Sequence, residues 1–371
     1  MQRAYRRYSR FLVMIVIVFV AVVAAFNFIV NPMGLFNPPV IKGFNDVHPA
    51  GQSFSRLQKI EAIKRLKPDL IITGTSRADS GLNIRPELLP DRTLVPYNAG
   101  LSAATIREQR AMLEFAQSVH PLKTAIITLD FFAFNGRKAD NKQFEPERLK
   151  PEALSPLNSF FDTYGTIVAL DTTVASVKHL RYIKKPERYA FTKENGHKES
   201  RDVDFDIARY GAAHRFIKDP AAAETSIDNF SFSYSDKTND DTFWQYREML
   251  RFARKNNIQV YLVISPIHIS QLEKERADSV TMIRVSEWKS SLMLINYEVA
   301  KEFHAQQYPL WDFAYPNSLT REEVPAEGDT TSRMQWFADG GHYRAALGDV
   351  VLRKVLLGSD EYPDFGRRLD H

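Results

Sequence analysis

The longest apolar run of the chain covers residues 11–30 and contains a single polar residue, Asn27. At about 1.5 Å of rise per residue, a helix of this length crosses the ~30 Å hydrocarbon layer of a bilayer. The run is preceded by no acidic residue and by four arginines, Arg3, Arg6, Arg7 and Arg10. By the positive-inside rule we expect a cytoplasmic tail over 1–10, a single-pass anchor over 11–30 in the cytoplasmic (inner) membrane, and an extracytoplasmic, periplasmic remainder.

A cleaved signal peptide is the alternative to an anchor. The sequence Val23-Ala24-Ala25 is a poor match to a small-residue cleavage site, and the apolar run is already long for a signal peptide. The uncleaved anchor is therefore the preferred interpretation.

Farther along the chain, short apolar runs bounded by Pro, Gly, Asn or Asp predict buried parallel strands. These runs are Asp69–Thr73, Leu94–Tyr97, Ala125–Leu129, Ile258–Ile264 and Tyr308–Trp311. Between them, apolar residues recur at the i, i+3, i+4 and i+7 spacing of amphipathic helices. Helices are predicted over residues 103–119, 241–256, 280–306 and 343–356. Strands that alternate with helices are typical of an α/β fold with a parallel sheet.

Two segments lie outside this alternation. Residues 31–54 are rich in Pro, Gly and Asn and have no sustained period, which predicts an irregular stalk before an ectodomain over 55–371. Residues 136–240 are polar, with one predicted helix at about 164–182, and we interpret them as an insertion. The insertion is either a lid over the carboxyl ends of the strands, where ligands bind in open α/β sheets, or a solvated excursion without a chemical role.

The excess positive charge of the chain lies in its N-terminal tail. The sequence has 49 basic and 45 acidic residues, and its formal net charge of +4 equals the four arginines of the tail. The predicted ectodomain is formally neutral, which argues against a nucleic-acid partner. The chain has no cysteine, so disulfides, thiol catalysis and cysteine metal ligands are excluded. No HExxH, phosphate-loop or dinucleotide motif is present, and we predict no metal and no cofactor.

The stretch Leu70–Gly81, LIITGTSRADSG, contains the first candidate for chemistry. Ser76 lies between a predicted strand and the start of a helix, so its hydroxyl is expected at the carboxyl edge of the sheet with backbone amides nearby. That position suits a nucleophile beside an oxyanion site. Serine is also a favoured helix cap, so the same position has a purely structural interpretation.

The second candidate lies near the C-terminus, in the segment WFADGGHYRAALG over 336–348. Asp339 stands three residues before His342, with two glycines between them. A carboxylate at this spacing can fold back onto the imidazole, fix its tautomer and stabilise the imidazolium ion. His342 is therefore a candidate general base that Asp339 orients. A surface turn with an incidental Asp and His is the alternative.

In their order along the chain, these motifs resemble the SGNH or GDSL-type serine hydrolases. That family has a Ser after the first strand, a Gly after the second, an Asn after the third, and Asp-x-x-His near the C-terminus. Here the corresponding segments are GTS ending at Ser76, NAG ending at Gly100 and DGGH ending at His342. The resemblance implies a three-layer α/β sandwich with a flavodoxin-like sheet, a catalytic set of Ser76, His342 and Asp339, and oxyanion donors in the amides of Ser76 and Gly100.

Among members of that superfamily, the chain is most similar to membrane-anchored extracytoplasmic ones such as the D-alanyl-lipoteichoic acid biosynthesis protein family. It also resembles uncharacterised bacterial proteins with ISPIH, PLWDF and HYR-x-x-x-G segments, which occur here at residues 264–268, 309–313 and 342–348. The resemblance spans most of residues 66–357. It implies a hydrolase or acyltransferase of the cell envelope.

The third block of the family has no close match, because the sequence after its strand reads LDFFAFNG in place of Gly-x-Asn-Asp. Asn135 is a candidate for the missing side-chain donor, and Asp130 is the alternative occupant of that place. A carboxylate there would repel an oxyanion. His268, at the end of YLVISPIH, is a further candidate for substrate contact, or else closes a hydrogen bond in a turn.

Two functions are compatible with these observations. The first is a membrane-anchored serine esterase or O-acyltransferase that acts on cell-envelope polysaccharide through an acyl-Ser76 intermediate. An acyl donor and a polytopic membrane acyltransferase are further candidate partners, besides the lipid bilayer around residues 11–30. The second is a non-catalytic factor for polysaccharide assembly that keeps the SGNH fold as a binding scaffold.

Overall fold

The computed structural model of the protein describes residues 2–36, 38–46, 48–49, 54–141, 144–149, 165–217, 230–234 and 240–370. Its α-helices are α1 (Gln2–Val30), α2 (Ser55–Leu66), α3 (Ser76–Gly81), α4 (Ile106–Val119), α5 (Leu170–Tyr182), α6 (Arg201–Tyr210), α7 (Ala212–Ile217), α8 (Thr242–Lys255), α9 (Ile269–Ala277), α10 (Ser279–Glu302) and α11 (Ala345–Leu357). Its strands are β1 (His48–Pro49), β2 (Leu70–Thr73), β3 (Pro96–Asn98), β4 (Thr124–Leu129), β5 (Ala190–Thr192), β6 (Lys198–Ser200), β7 (Gln259–Ile264), β8 (Leu310–Asp312) and β9 (Arg367–Arg368).

The centre of the molecule is a six-stranded sheet with the order β3-β2-β4-β7-β8-β9. Neighbouring strands from β3 to β8 run parallel, and only β9 at the edge is antiparallel. The predicted α/β class with a mostly parallel central sheet is therefore confirmed. The carboxyl ends of the parallel strands meet at one edge, where the loops after β2 and β4 lie side by side.

Helices cover both faces of this sheet. On β4, Ala125, Ile127 and Leu129 belong to one hydrophobic cluster with residues of α2, α4, α8 and α10, whereas Ile126 belongs to a second cluster with residues of α3 and α11. Because successive side chains of a strand point to opposite faces, an apolar strand of this kind requires apolar cover on both sides.

Side-chain caps set where several helices begin. The hydroxyl of Thr105 and the carboxylate of Glu108 form a reciprocal capping box at the start of α4, so the helix begins three residues later than the predicted start at 103. Asp241 accepts the amide of Trp244 at the start of α8. The start of α11 shifts from the predicted residue 343 to Ala345 because Tyr343 forms a β-bridge with Phe337.

Helix α1 is long and apolar enough to cross a membrane. Side chains 3–22 are all exposed, whereas Asn27 and Val30 are buried against the rest of the protein. The irregular segment after α1, which was predicted as a stalk, also packs against the rest of the protein. Met33, Leu35 and Phe36 form a small buried cluster, and β1 pairs with β5 of the predicted insertion.

The insertion contains more regular structure than its polar sequence indicated. Beyond α5, it forms the strand pair β5–β6 and the helices α6 and α7. On α6, Ile207 is buried and Val203 packs beside it, so this helix has a short apolar face that the sequence analysis missed within the polar segment. The predicted start of the earlier helix at 164 lies outside the described residues, and α5 begins at Leu170.

Candidate active site

Ser76 is the first residue of α3 and follows the two-residue turn after β2. The helix cap is Thr75, whose hydroxyl accepts the amide of Arg77 at 3.3 Å. The interpretation of Ser76 as the cap is therefore wrong, because the preceding threonine fills that position. The hydroxyl of Ser76 is left to point into the cleft at the carboxyl edge of the sheet.

The segment from residue 336 to 344 folds into a tight loop that presents His342. The amide of Ala338 donates to the carbonyl of His342 at 2.9 Å, and the carboxylate of Asp339 accepts the amides of Gly341 and His342 at 3.0 and 2.8 Å. These bonds hold the carboxylate and the imidazole on the same side of the loop.

Ser76, His342 and Asp339 form one hydrogen-bonded chain. The hydroxyl oxygen of Ser76 lies 2.8 Å from Nε2 of His342, and Nδ1 of His342 lies 2.9 Å from Oδ1 of Asp339. A carboxylate can only accept, so Nδ1 carries the proton and Nε2 is left to accept the serine hydroxyl proton. The arrangement is that of a nucleophile, its general base and the group that orients the base.

The Asp339 carboxylate is buried yet held in its charged form. Burial alone would raise its pKa, but the attraction and hydrogen bonds of His342, together with the guanidinium of Arg215, hold the pKa of Asp339 below its usual range. Arg215 donates to Oδ2 of Asp339 at 3.2 Å and to the carbonyl of Ala338 at the same distance. A charged Asp339 stabilises the imidazolium that forms when His342 takes a proton.

The insertion covers this site. A cavity of about 350 Å³ is lined by Ser76 and His342 and also by insertion residues, namely Lys193, residues 197–204 and Arg215. The predicted insertion therefore lines the cleft at the carboxyl ends of the strands. A larger hollow of about 620 Å³ lies beside the amino end of β8, near Tyr297 and Arg368, and contains none of the candidate catalytic residues.

Helices α3 and α11 pack closely together beside Ser76 and His342. A Cβ added to Gly348 would lie 1.8 Å from the carbonyl oxygen of Gly81, and one added to Gly81 would lie 2.1 Å from the ring of Tyr343. Neither contact is possible for a larger residue without a shift of the helices. Ser76 begins α3 and His342 lies just before α11, so this contact joins the two halves of the site.

Asp130, after β4, lies on the other side of Ser76 but does not face the cavity. Its carboxylate is 2% exposed, accepts the hydroxyl of Thr75 at 2.5 Å and pairs with the guanidinium of Arg77 at 3.2 Å. Both partners flank Ser76 in sequence. Asp130 therefore fixes the turn that carries the serine, and its negative charge is balanced by Arg77.

The other predicted oxyanion groups have partners elsewhere in this structure. The amide of Gly100 donates to Oδ1 of Asn98 at 2.8 Å, and would have to exchange that bond to reach an oxyanion. The side-chain oxygen of Asn135 accepts the amides of Arg137 and Ser231, and Asn135 does not line the cavity with Ser76. These two residues are thus not brought together with the serine as donors.

His268 has a structural environment. The side chain is 2% exposed and packs edge-on against Phe216 and Phe337, while Nδ1 bonds with Ser270 and Nε2 lies 2.7 Å from the carbonyl of Glu322. Burial lowers its pKa. The backbone amide of His268 donates to the carbonyl of Gly340 at 3.0 Å, so this residue supports the loop that presents His342.

Three residues of the site were not found from the sequence. Thr75 lies inside the serine motif, but the motif does not indicate its role. Arg215 lies in the polar insertion at no fixed spacing from Asp339, so no sequence pattern predicts their contact. His197 lines the cavity and lies 2.9 Å from the carbonyl of Ser80 through Nε2. Burial lowers the pKa of His197 to about 4, so its ring is neutral at pH 7.

Within the described ranges, no group of three or more His, Asp or Glu side chains is placed to hold a metal ion. In comparisons with known proteins, no family model matches the chain, and no curated protein matches its sequence. Any function assigned to the protein therefore depends on the geometry around Ser76.

Proposed function

We propose that the protein is a membrane-anchored, extracytoplasmic SGNH-like serine esterase or O-acyltransferase of the cell envelope. The observation that carries the proposal is the hydrogen-bonded chain of Ser76, His342 and Asp339, with contacts of 2.8 and 2.9 Å. Each neighbouring pair is within the reach that proton transfer requires. Ser76 lies more than 260 positions before Asp339 and His342, so a chance alignment of all three is a poor explanation.

The sheet also supports this class. Numbered within the central sheet alone, its first five strands have the order 2-1-3-4-5, which is the flavodoxin-like order. In that topology ligands bind where the chain reverses direction across the sheet, between β2 and β4 here. Ser76 follows β2 directly, and the cavity opens at that edge.

In the proposed reaction, the oxygen of Ser76 attacks the carbonyl carbon of an ester and its proton passes to Nε2 of His342. The bond to the leaving alcohol then breaks, and the alcohol oxygen takes the proton from His342. In the second half, His342 takes the proton of water or of a sugar hydroxyl as its oxygen attacks the acyl-Ser76 ester. The acyl bond to Ser76 then breaks, and the Ser76 oxygen takes that proton back from His342. Water gives an esterase, and a sugar hydroxyl gives an O-acyltransferase.

The substrate class and the compartment rest on two further observations. Helix α1 has the length and apolar composition of a membrane span, with arginines before it, which supports an ectodomain outside the cytoplasmic membrane. The motif resemblance supports envelope polysaccharide as the acyl acceptor or ester substrate. Side chains of both charges line the cavity, and this mixture suits a polar ligand.

A second candidate function is a binding scaffold for polysaccharide assembly. The specific observation in its favour is that the amide of Gly100 is bonded to Asn98 and that Asn135 is bonded elsewhere, so a second oxyanion donor is not yet in place. A scaffold needs the cavity but no such donor. A catalyst would need a small rearrangement of the Gly100 loop when substrate binds.

The test is covalent labelling of the purified full chain with a fluorophosphonate probe, together with hydrolysis of p-nitrophenyl acetate. We expect the wild-type protein to be labelled and active and Ser76→Ala to lose both properties, because only an activated serine reacts with the probe. Ser118→Ala, on helix α4, is the matched control and should behave as wild type. An unlabelled and inactive wild-type protein would favour the scaffold, and full turnover in Ser76→Ala would reject the mechanism.

A further inference from the structure

Helix α5 has its polar side inside and its apolar side outside. Thr172, Ser176 and His179 are buried, with Ser176 and His179 fully so. On the opposite side, Leu170 is 76% exposed, and Val174 and Val177 are 43% and 48% exposed. A helix on the surface of a water-soluble domain has the reverse arrangement, so this apolar face requires a cover other than water.

The buried polar side of α5 is bonded to the end of α1. The side-chain amide of Asn27 donates to the carbonyl of Ile167 at 2.7 Å and to the hydroxyl of Thr173 at 2.9 Å, and its oxygen accepts the hydroxyl of Ser176 at 2.8 Å. All hydrogen-bonding groups of this amide are thus used. The one polar residue of the apolar run fixes α5 beside the last turns of α1.

This contact places α5 at a defined height along the candidate membrane span. If residues 11–30 fill the hydrocarbon layer, Asn27 lies only about 4.5 Å before its outer boundary, at 1.5 Å per residue. The exposed face of α5 therefore lies at the level where acyl chains meet headgroups. Amphipathic helices that rest on membranes bury their apolar side by roughly 5–10 Å at this level.

Basic side chains follow the apolar face. Lys178, Arg181, Lys184 and Lys185 are all exposed, and none of them forms an ion pair with another described residue. Lysine and arginine at this level extend toward lipid phosphates, and a cluster of them favours anionic lipids. The order of apolar and basic residues along α5 and the segment just after it thus fits a bilayer surface better than an apolar protein groove.

We infer that α5 is a second membrane contact of the protein, which lies in the outer interface of the bilayer with Leu170, Val174 and Val177 among the acyl chains and the basic cluster at the headgroups. The inference rests on the membrane-anchoring part of the proposed function. Strand β5 begins only eight residues after α5 ends, and the insertion that follows lines the cavity, so the bilayer contact sets the height and tilt of the Ser76 cleft above the membrane.

The test is the accessibility of nitroxide labels on the full chain in vesicles of phosphatidylethanolamine and phosphatidylglycerol. Because the chain has no cysteine, Val174→Cys or Val177→Cys provides a single labelling position. Phe19→Cys, in the middle of α1, serves as the reference for a membrane span, and Leu357→Cys, exposed at the end of α11, as the reference for water. The ratio of collisions with oxygen to collisions with a polar nickel complex reports the depth of each label.

We expect the labels at 174 and 177 to give ratios several-fold above that at 357 and below that at 19. A water-like ratio at 174 beside a deep label at 19 would overturn the inference and would leave the face of α5 to a protein partner. A water-like ratio at 19 would instead reject the anchor, and the inference would fail with it. The ratio at 177 should also fall in vesicles of phosphatidylcholine alone, and equal ratios in both lipids would overturn the role given to the basic cluster.

Discussion

The two sides of Ser76 use the same residue types for different purposes. On the base side, a buried aspartate faces a histidine and an arginine, and the histidine reaches the serine. On the β4 side, the buried Asp130 faces a threonine and an arginine that both belong to the turn around Ser76. Both carboxylates are balanced by a guanidinium, but only Asp339 is linked to a group that can accept a proton from the serine.

Burial and charge pairing alone therefore do not identify a catalytic carboxylate. What separates the two is the partner between the carboxylate and the nucleophile. In the proposed reaction the imidazole of His342 lies between the charge of Asp339 and the Ser76 hydroxyl, whereas Asp130 bonds only to the residues on either side of Ser76. The predicted consequences of substitution on the two sides are therefore loss of turnover on one and loss of stability on the other.

The largest effect is expected from Asp339→Asn. An asparagine amide can donate to Nδ1, which favours the tautomer with the proton on Nε2, and that nitrogen can then no longer accept from Ser76. Catalytic turnover should fall by about 10⁴-fold while the protein still folds. The measurement is kcat for p-nitrophenyl acetate, with Asp130→Asn as the control that makes the same chemical change on the other side. A comparable loss of kcat in both variants would erase the distinction between the two carboxylates.

Asp130→Asn should mainly reduce stability. The substitution removes the carboxylate that pairs with the buried guanidinium of Arg77 at 3.2 Å, and breaking one half of a buried pair costs about 3–5 kcal/mol. Denaturant unfolding of the full chain in detergent measures this loss.

The double variant Asp130→Asn with Arg77→Met removes both charges and should recover part of the lost stability. Stability within about 0.5 kcal/mol of wild type in the single variant would show that the pair is not needed for the turn.

Much of the base side could be predicted from the sequence because its signals are local. Asp339 and His342 are three residues apart, Ser76 follows a recognisable strand, and each short apolar run that was assigned as a strand has a counterpart in the central sheet. The distance between the serine and the histidine depends on tertiary packing, but the order of motifs along the chain indicated that they would meet.

The β4 side and the insertion could not be predicted in the same way. The partners of Asp130 lie more than 50 residues away, and Arg215 reaches Asp339 from a segment without apolar periodicity. Periodicity found α5 as a helix but could not tell which of its faces is inside, because here the buried side is polar. Long-range polar contacts have no spacing rule, so only the folded chain reveals them.

The free energy of unfolding should depend on pH through His197. This residue lines the cavity but is not part of the hydrogen-bonded chain of Ser76, His342 and Asp339. Its pKa is lowered by burial from 6.5 to about 4, so the unfolded chain takes up a proton at pH values where the folded chain does not. Stability from this group is complete above pH 6.5 and is lost as pH falls toward 4, by on the order of 3 kcal/mol.

The measurement is the free energy of unfolding between pH 7 and 4 for wild type and His197→Gln. The variant should show a flatter curve in this range, because it cannot take up that proton. His48, whose pKa burial likewise lowers to about 4, lies outside the cavity, and His48→Gln is the matched control for a buried histidine that is not near Ser76. Identical slopes for wild type and His197→Gln would mean that His197 is not kept neutral by the fold.

The smallest effect on stability, and the most direct probe of how the two sides are held together, is expected from Gly348→Ala. The new methyl group would press on the carbonyl of Gly81, so α11 must move away from α3 at a cost of about 1–3 kcal/mol. The same movement lengthens the 2.8 Å contact between Ser76 and His342, and a misplacement of about 1 Å can cost about 100-fold in kcat.

The control is Ala346→Gly, at an exposed position on the same helix. This variant should lose about 1 kcal/mol of stability through helix propensity, with no change in kcat. If Gly348→Ala loses stability but keeps its kcat, then the approach of the two helices supports the fold without setting the distance between nucleophile and base.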